Sequence, residues 1–409
     1  VVSDSSFQVN FQRAAEVLLP GMKIAFIGQK GIPAISGGVE KHVEKLSTRL
    51  AAQGHEVFVY VRSHYTDPQL TEYDGVKLVH IPSIHTKHLD TISHVFFSTL
   101  HALFQNYDVI HYHSIGPSIL SIIPRIFRPS MHVVATFHTR DYFHKKWNAF
   151  ARLCLHVGEY FTCVIPEKTI VISETLLAYA RKRYKKDFVF IPNGAEVAYE
   201  QDTAVLNQWG LRPQRYILSV SRLVRHKGIH YLVKAFRELE ELSKLPNNLK
   251  LVIVGTHAET PEYEQYLKVM AEGHPNILFL GEQQGKNLAA LFSHASFFVQ
   301  PSEEEGLSIA LLEAMAYGLL AVVSDIPANV EAVRSDAGVI FRSGDVEDLK
   351  RQLAYYANRP EEAVLIGRVA RERAEERYSW DAIALQTEEV YEELVMNGGI
   401  KRYAHVRTK

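Results

Sequence analysis

Short apolar runs alternate with helix-period segments along this chain, and the series occurs twice. KIAFIG (23–28), EVFVYV (56–61), KLVHI (77–81), YDVIHYHS (107–114), HVVATFH (132–138), TIVIS (169–173) and FVFIP (188–192) form the first set. YILSV (216–220), LKLVIVG (249–255), ILFLG (277–281), SFFVQ (296–300), LAVVS (320–324) and GVIF (338–341) form the second. Runs this short and this apolar read as strands buried on both faces of a parallel sheet. Between them lie helical stripes. Val39, Val43, Leu46 and Leu50 line one, stopped by Gly54, and GIHYLVKAFRELEEL (228–242) forms another. The predicted class is therefore α/β, with two Rossmann-like doubly wound domains in series.

The break falls in NGAEVAYEQDT (193–203), where Asn193-Gly194 is a turn signal. The expected division is 1–21 as a tag or disordered extension, 22–195 as the first domain, 196–378 as the second, and 379–409 as a final helix and tail. Met22 looks like a natural start running straight into a strand. After ~345 three helices are expected: DVEDLKRQLAYYANR, PEEAVLIGRVARERAEERY and SWDAIALQTEEVYEELV. Open α/β sheets bind ligands at the carboxyl ends of their strands, so two facing domains make the cleft between them the expected site.

Composition removes several alternatives. Two cysteines nine residues apart, Cys154 and Cys163, exclude a disulfide framework and a CxxC site, and point to a reducing cytosol. VFFSTLHALF (95–104) and ILSIIPRIF (119–127) fall short of the ~18 residues that span a bilayer. Charge is uneven: residues 1–195 carry 21 basic and 15 acidic side chains and 14 of the 20 histidines, the remainder 24 and 31. Such halves suit domains with different partners.

Four segments carry candidate chemistry. In GQKGIPAISGGVEKH (28–42), Gly37-Gly38 sits where helix N-terminal N–H groups face an anion, or merely makes a tight strand-to-helix turn. In SRLVRHKG (221–228), Arg222 and Lys227 follow a strand and suit a diphosphate, unless they belong to a solvated basic loop. In QPSEEEGLSIALLEAMAYG (300–318), Gly306 is expected to open an apolar helix. Glu303, Glu304 and Glu305 suit a helix N-terminus on dipole grounds alone. Glu313 lies among apolar neighbours, and a sugar or ribose diol would satisfy a buried carboxylate there; an exposed edge or pairing with a core arginine is the alternative. His111, His113 and His138 end two strands on the cleft side; His111 reads as packed, His138 as functional. No HxxxH or HExxH spacing supports a metal site.

GGVE after the first strand, the histidine of TFHT, IPNG, SRLVRHKG, and EGLSIALLEAMAYG followed by SDIP come in an order that resembles the family 4 glycosyltransferases of the GT-B fold. The resemblance runs from Met22 onward and includes a Glu-x7-Glu spacing, here Glu305 and Glu313. It implies a retaining, metal-free transfer of a sugar from a nucleotide-diphosphate donor to a hydroxyl, with no cofactor beyond the donor. Arg222 and Lys227 would hold the diphosphate, and Glu313 the ribose hydroxyls. Glu305 and the N–H groups of Gly306 and Leu307 would hold the sugar, His138 would lie beside it, and Gly37-Gly38 would approach phosphate and acceptor. The last helix would cross back onto the first domain.

The residues agree with transfer rather than hydrolysis, because no pair of catalytic carboxylates is indicated. A GT-B epimerase and a non-catalytic nucleotide-sugar-binding protein are the rival readings. A nicotinamide dehydrogenase lacks its glycine fingerprint and acidic partner. The expected acceptor is a glycan or lipid-linked sugar in cell-surface polysaccharide assembly, in the cytoplasm at the inner membrane face. No nucleic-acid partner is expected. An anionic membrane is a further expected partner, from the basic first half. Within it the stripe Trp147–Phe161 reads as the buried side of a core helix and RKRYKK (181–186) as a solvated surface, unless they face lipid.

Overall fold

The computed structural model describes residues 21–86, 89–140, 149–257 and 261–406. The expected extension over 1–21, Gly21 apart, lies outside them, as does Trp147 of the helical stripe.

Two sheets organise the described residues. The first holds β1 (Lys23–Ile27), β2 (Glu56–Arg62), β3 (Glu72–Tyr73), β4 (Val76–Ile81), β5 (Val109–His113), β6 (His132–Phe137), β7 (Lys168–Val171) and β8 (Val189–Phe190), in the order β3-β4-β2-β1-β5-β6-β7-β8. Its pairings are parallel except for β3 with β4. The second holds β9 (Tyr216–Val220), β10 (Lys250–Val254), β11 (Ile277–Phe279), β12 (Phe297–Gln300), β13 (Ala321–Ser324) and β14 (Val339–Phe341), in the order β11-β10-β9-β12-β13-β14, all parallel. Strand order reverses between β1 and β5 in one sheet and between β9 and β12 in the other. A doubly wound sheet opens a crevice at such a point.

The unbroken apolar run of β1 has a direct cause. Ile24 and Phe26 face a layer made by the helix Gly38–Ala52 and the closing helix Trp380–Val406, with Val43, Leu46, Ile383 and Tyr391. Ala25 and Ile27 face the opposite layer, with Tyr60, Val95, Tyr112 and Val133. A strand covered on both sides has no polar face.

A further apolar cluster belongs to both sheets. Ile115, Phe137, Ile172 and Leu176 of the first half pack in one body with Leu307, Leu311, Leu312 and Met315 of the second. Burying each such side chain contributes about 1.5–3 kcal/mol as an upper figure, so the two domains share a dry seam beside the cleft.

The tail forms three helices, as its pattern predicts. Asp345 caps Val346–Ala357, accepting from the Asp348 N–H at 3.0 Å; Pro360 sits in the first turn of Pro360–Arg377. The closing helix crosses to the first domain, where Trp380, Ile383, Ala384 and Tyr391 enter its core. Gly194 makes room for it, since a Cβ there would lie 2.5 Å from the Trp380 ring. The Asn193-Gly194 signal thus marks a close approach as well as a change of direction.

Three local expectations differ from what forms. FVFIP yields a strand only at Val189–Phe190, and the two-residue β3 is too short to show alternation. Gly306 does not open its helix. That helix is Ile309–Ala316, capped by the Ser308 hydroxyl, which accepts from the Leu311 N–H at 3.3 Å. Gly306 instead packs on the first domain, where a Cβ would lie 2.0 Å from the His138 carbonyl oxygen.

Candidate active site

Register sets the histidines. His111 of β5 pairs with Val134 of β6, and His113 with Thr136. His111 is structural: its Nδ1 is 2.6 Å from the Tyr391 hydroxyl and its Nε2 2.7 Å from Thr136 Oγ1, so it anchors the closing helix. His113 Nδ1 lies 3.0 Å from His138 Nε2, and the His42 ring stands edge-on to His138 at 4.9 Å. His42 Nδ1 is 2.9 Å from Asn193 Oδ1, and Asn193 Nδ2 donates to the Leu307 carbonyl at 2.7 Å. One buried asparagine therefore links the first helix, the junction and the second domain.

These imidazoles are neutral at pH 7. Burial pushes His42 down to about 4, against the opposing Asn193 hydrogen bond. Burial, aided by neighbouring imidazoles, holds His111, His113 and His138 well below the usual histidine range. A neutral ring offers one donor and one acceptor, which suits a sugar hydroxyl. Among the described residues, the ligand nitrogens of His42, His113 and His138 lie within 4.8 Å of one another, close enough to share a metal ion. His64, His85 and Asp90 form a second such group, in which Asp90 is held by Arg62 at 2.5 Å. Sequence spacing conceals the first group because its members come from a helix and two strands.

The second domain supplies charge. After β9 the chain makes a short turn over Arg225–Lys227 and reaches the helix Ile229–Glu241 through Gly228, at φ 68°. A Cβ on Gly228 would lie 1.9 Å from the Pro301 carbonyl, so this loop presses on the one after β12. The Glu303 N–H donates to the His226 carbonyl at 2.7 Å and fixes the two loops together. Lys227 Nζ then reaches both Glu305 oxygens, at 2.6 and 2.7 Å, and the Ser302 hydroxyl donates to Glu305 Oε1 at 2.7 Å. Arg222 is exposed, and no hydrogen bond or ion pair holds its guanidinium among the described residues.

Glu313 is buried and paired, but across the cleft. Lys41 Nζ, from the first turn of Gly38–Ala52, lies 2.5 Å from Glu313 Oε1. Gln284 Nε2 also donates to the Ile35 carbonyl at 2.6 Å. Gly37, at φ 104°, precedes that helix, and the Glu40 carboxylate fills the space where its Cβ would be. Glu40 Oε1 accepts from the Lys30 N–H at 3.2 Å, so an acid already stands beside the expected anion cradle.

The structure thus gathers His138, Glu305, Gly306 and Leu307 at one meeting of the domains, and Lys227 joins them through Glu305. Lys41, His42 and Asn193 are additions to the sequence-predicted set. Lys41 and His42 directly follow GGVE, and Asn193 stands in IPNG, so the motifs flagged their neighbourhood but not their contacts.

Two largely parallel sheets facing each other across such a cleft, tied by a returning helix, make the GT-B architecture. Residues 36–199 match the family described as Glycosyltransferase Family 4, and residues 205–373 the one described as Glycosyl transferases group 1. The chain belongs to the family 4 glycosyltransferases. Its relatives include an uncharacterized glycosyltransferase of Methanocaldococcus jannaschii, 27% identical over 90% of this chain and 98% of that protein. Another is a phosphatidyl-myo-inositol mannosyltransferase of Mycolicibacterium smegmatis, 29% identical over 90% of this chain and 92% of that one. Among solved structures, the sucrose-phosphate synthase of Thermosynechococcus elongatus superposes with a TM-score of 0.78 at 23% identity, covering 92% of this chain and 100% of that one. Anabaena HepE, solved with UDP and glucose, does so at 0.73 and 19%, covering 91% and 100%.

Proposed function

We propose that this glycosyltransferase moves a hexosyl group, with retention and without a metal, from a nucleotide-diphosphate sugar to a hydroxyl of a glycan or lipid-linked acceptor. Cell-surface polysaccharide assembly is the setting this reading implies, in the cytoplasm at the inner membrane face, with an anionic membrane as a partner. One observation carries the reading of the reaction: Glu305, gripped by Lys227, lies in the segment whose Gly306 touches the His138 backbone. Groups for a diphosphate and for a sugar therefore sit on opposite sides of one contact.

Lys227 and Arg222 take the diphosphate and offset the negative charge that grows as the nucleotide leaves. Glu305 passes from Lys227 to the sugar hydroxyls, with the Gly306 and Leu307 N–H groups beside it. Glu313 exchanges Lys41 for the ribose diol. Gly37-Gly38 bring backbone close to phosphate and acceptor. Neutral His138 orients a hydroxyl of the transferred sugar. The incoming hydroxyl attacks on the leaving-group face as the glycosidic C–O bond to phosphate breaks. The departing phosphate oxygen takes the hydroxyl proton, so no protein nucleophile is needed. The mannosyltransferase relative and the UDP and glucose held by HepE support a nucleotide-sugar donor.

Proton NMR of the first product tests this reading. The anomeric coupling should match that of the donor. An inverted anomer rules out the retaining course, and turnover of donor without any acceptor favours an epimerase.

A further inference from the structure

The first domain carries an apolar outer surface that its own core does not use. Helices Asp90–Leu103, Ile122–Phe127 and Ala149–Val164 pack together around the short turn Pro117–Ser121. Phe96 and Phe97 point outward from the first helix. Phe104 follows its end at 82% exposure, and Phe127 ends the second helix at 69%. Arg128 makes these last two neighbours, donating to the Leu103 carbonyl at 2.6 Å and the Gln105 carbonyl at 3.2 Å. On the third helix Leu153, Val157 and Tyr160 are exposed at i, i+4 and i+7, one stripe facing water. A surface with this many adjoining exposed aromatic and aliphatic side chains marks an interaction site.

Charge selects the occupant. Residues 90–164, which span these helices, contain six Lys or Arg and four acids, Asp90, Asp108, Asp141 and Glu159, of which Asp90 is held by Arg62 and Glu159 is buried. Asp108 is engaged by the Lys23 N–H at 2.8 Å, and Asp141 lies outside the described residues. Arg152 is exposed beside Leu153. The helix Glu174–Tyr184 packs against Ala149–Val164 and exposes Arg181 and Lys182. Protruding aromatics set among cations, with the described acids of these helices buried or already engaged, fit the interfacial zone of an anionic bilayer. No helix among the described residues is long and apolar enough to cross a membrane, so the helices of this face can only lie on one.

We propose that Phe96, Phe97, Phe104 and Phe127 enter the headgroup region of an anionic bilayer, with Arg152, Arg181 and Lys182 against its phosphates. This rests on the membrane partner of the preceding section and assigns its surface. Of the expected stripe, Cys154 and Phe161 are half-buried and face the protein, but Val157 is exposed and lies with Leu153 and Tyr160 on the lipid face of the same helix. Phe104 and Phe127 lie just before β5 and β6, so docking this way turns the amino ends of those strands toward lipid.

Flotation with phosphatidylcholine vesicles, with and without phosphatidylglycerol, tests the assignment. The full chain should float with the phosphatidylglycerol vesicles at low salt and leave them near 0.5 M, where the Debye length falls to roughly 4 Å. Phe104→Ser with Phe127→Ser should lower the floating fraction about tenfold, while nucleotide affinity and circular dichroism stay unchanged. If the wild type floats and the double variant floats equally, this face is wrong although the membrane reading stands. If the wild type never floats, both fall. If it sediments as a dimer that the double variant dissociates, the patch is an interface between copies and the proposal is overturned.

Discussion

The Lys41 ammonium lies 2.5 Å from the Glu313 carboxylate, on opposite sides of the cleft. Their side chains are 29% and 10% exposed, so this contact is largely out of water. Glu313 sits among Leu311, Leu312, Ala314 and Met315, where an unpaired carboxylate is costly. The first domain supplies the missing charge. Lys41 occupies one oxygen of the carboxylate proposed to take the ribose diol, so on that reading the pair links domain contact to donor binding.

Lys41→Ala should therefore strand a buried carboxylate and lower unfolding free energy by about 1–3 kcal/mol. Adding Glu313→Gln should restore much of it. A double-mutant cycle by thermal denaturation checks this, and a coupling near zero would show the pair to be incidental. The radius of gyration of unliganded Lys41→Ala should also exceed that of wild type in small-angle scattering.

Lys227 has two partners to satisfy in turn. With Lys227→Ala, the nucleotide-diphosphate dissociation constant should rise at least tenfold, as the loss of a charge-assisted contact of about 2–4 kcal/mol implies. Unliganded stability should fall as well, because Glu305 is left unpaired. Glu305→Gln in the Lys227→Ala background should recover stability but not affinity. Isothermal titration and denaturation separate the two effects.

The buried imidazoles give a pH signature. His42 titrates near 4 in the fold against 6.5 in its absence, so between those values the unfolded chain binds the extra proton. Stability is then full above pH ~6.5 and falls as pH drops toward 4. The 2.5-unit interval makes this on the order of 3 kcal/mol for His42 alone. His42→Gln should flatten the fall of melting temperature over that range; an unchanged slope would mean that other groups govern it.

Much of the fold was legible because both sheets are buried on two faces, and β1 or β9 then shows as a bare apolar run. The closing helix was expected as a helix, and its return to the first domain from the family resemblance alone. What escaped was contact at a distance. Lys41 and Glu313 are far apart in sequence, as are His42, His113 and His138, and no local spacing announces their meeting. Gly306 misled for a different reason: a glycine before an apolar helix looks like its start, yet here the His138 carbonyl leaves no room for a Cβ, and Ser308 does the capping.

In the proposed mechanism Arg222 and Lys227 carry the charge of the leaving diphosphate, so activity should survive EDTA. The assay also probes His42, His113 and His138. A loss of turnover in EDTA that zinc restores would place a metal on them, and one that magnesium restores would place it on the diphosphate.

Calorimetric titration with UDP-, GDP-, ADP- and dTDP-sugars goes most directly to the central claim, that the cleft holds a nucleotide-diphosphate sugar between Lys227, Glu305 and Glu313. At least one of these donors should bind the wild type, at least tenfold more weakly after Glu313→Ala, and not measurably when Lys227→Ala is added. Binding that ignores both substitutions in folded protein, or no binding by any member of the panel, would contradict it.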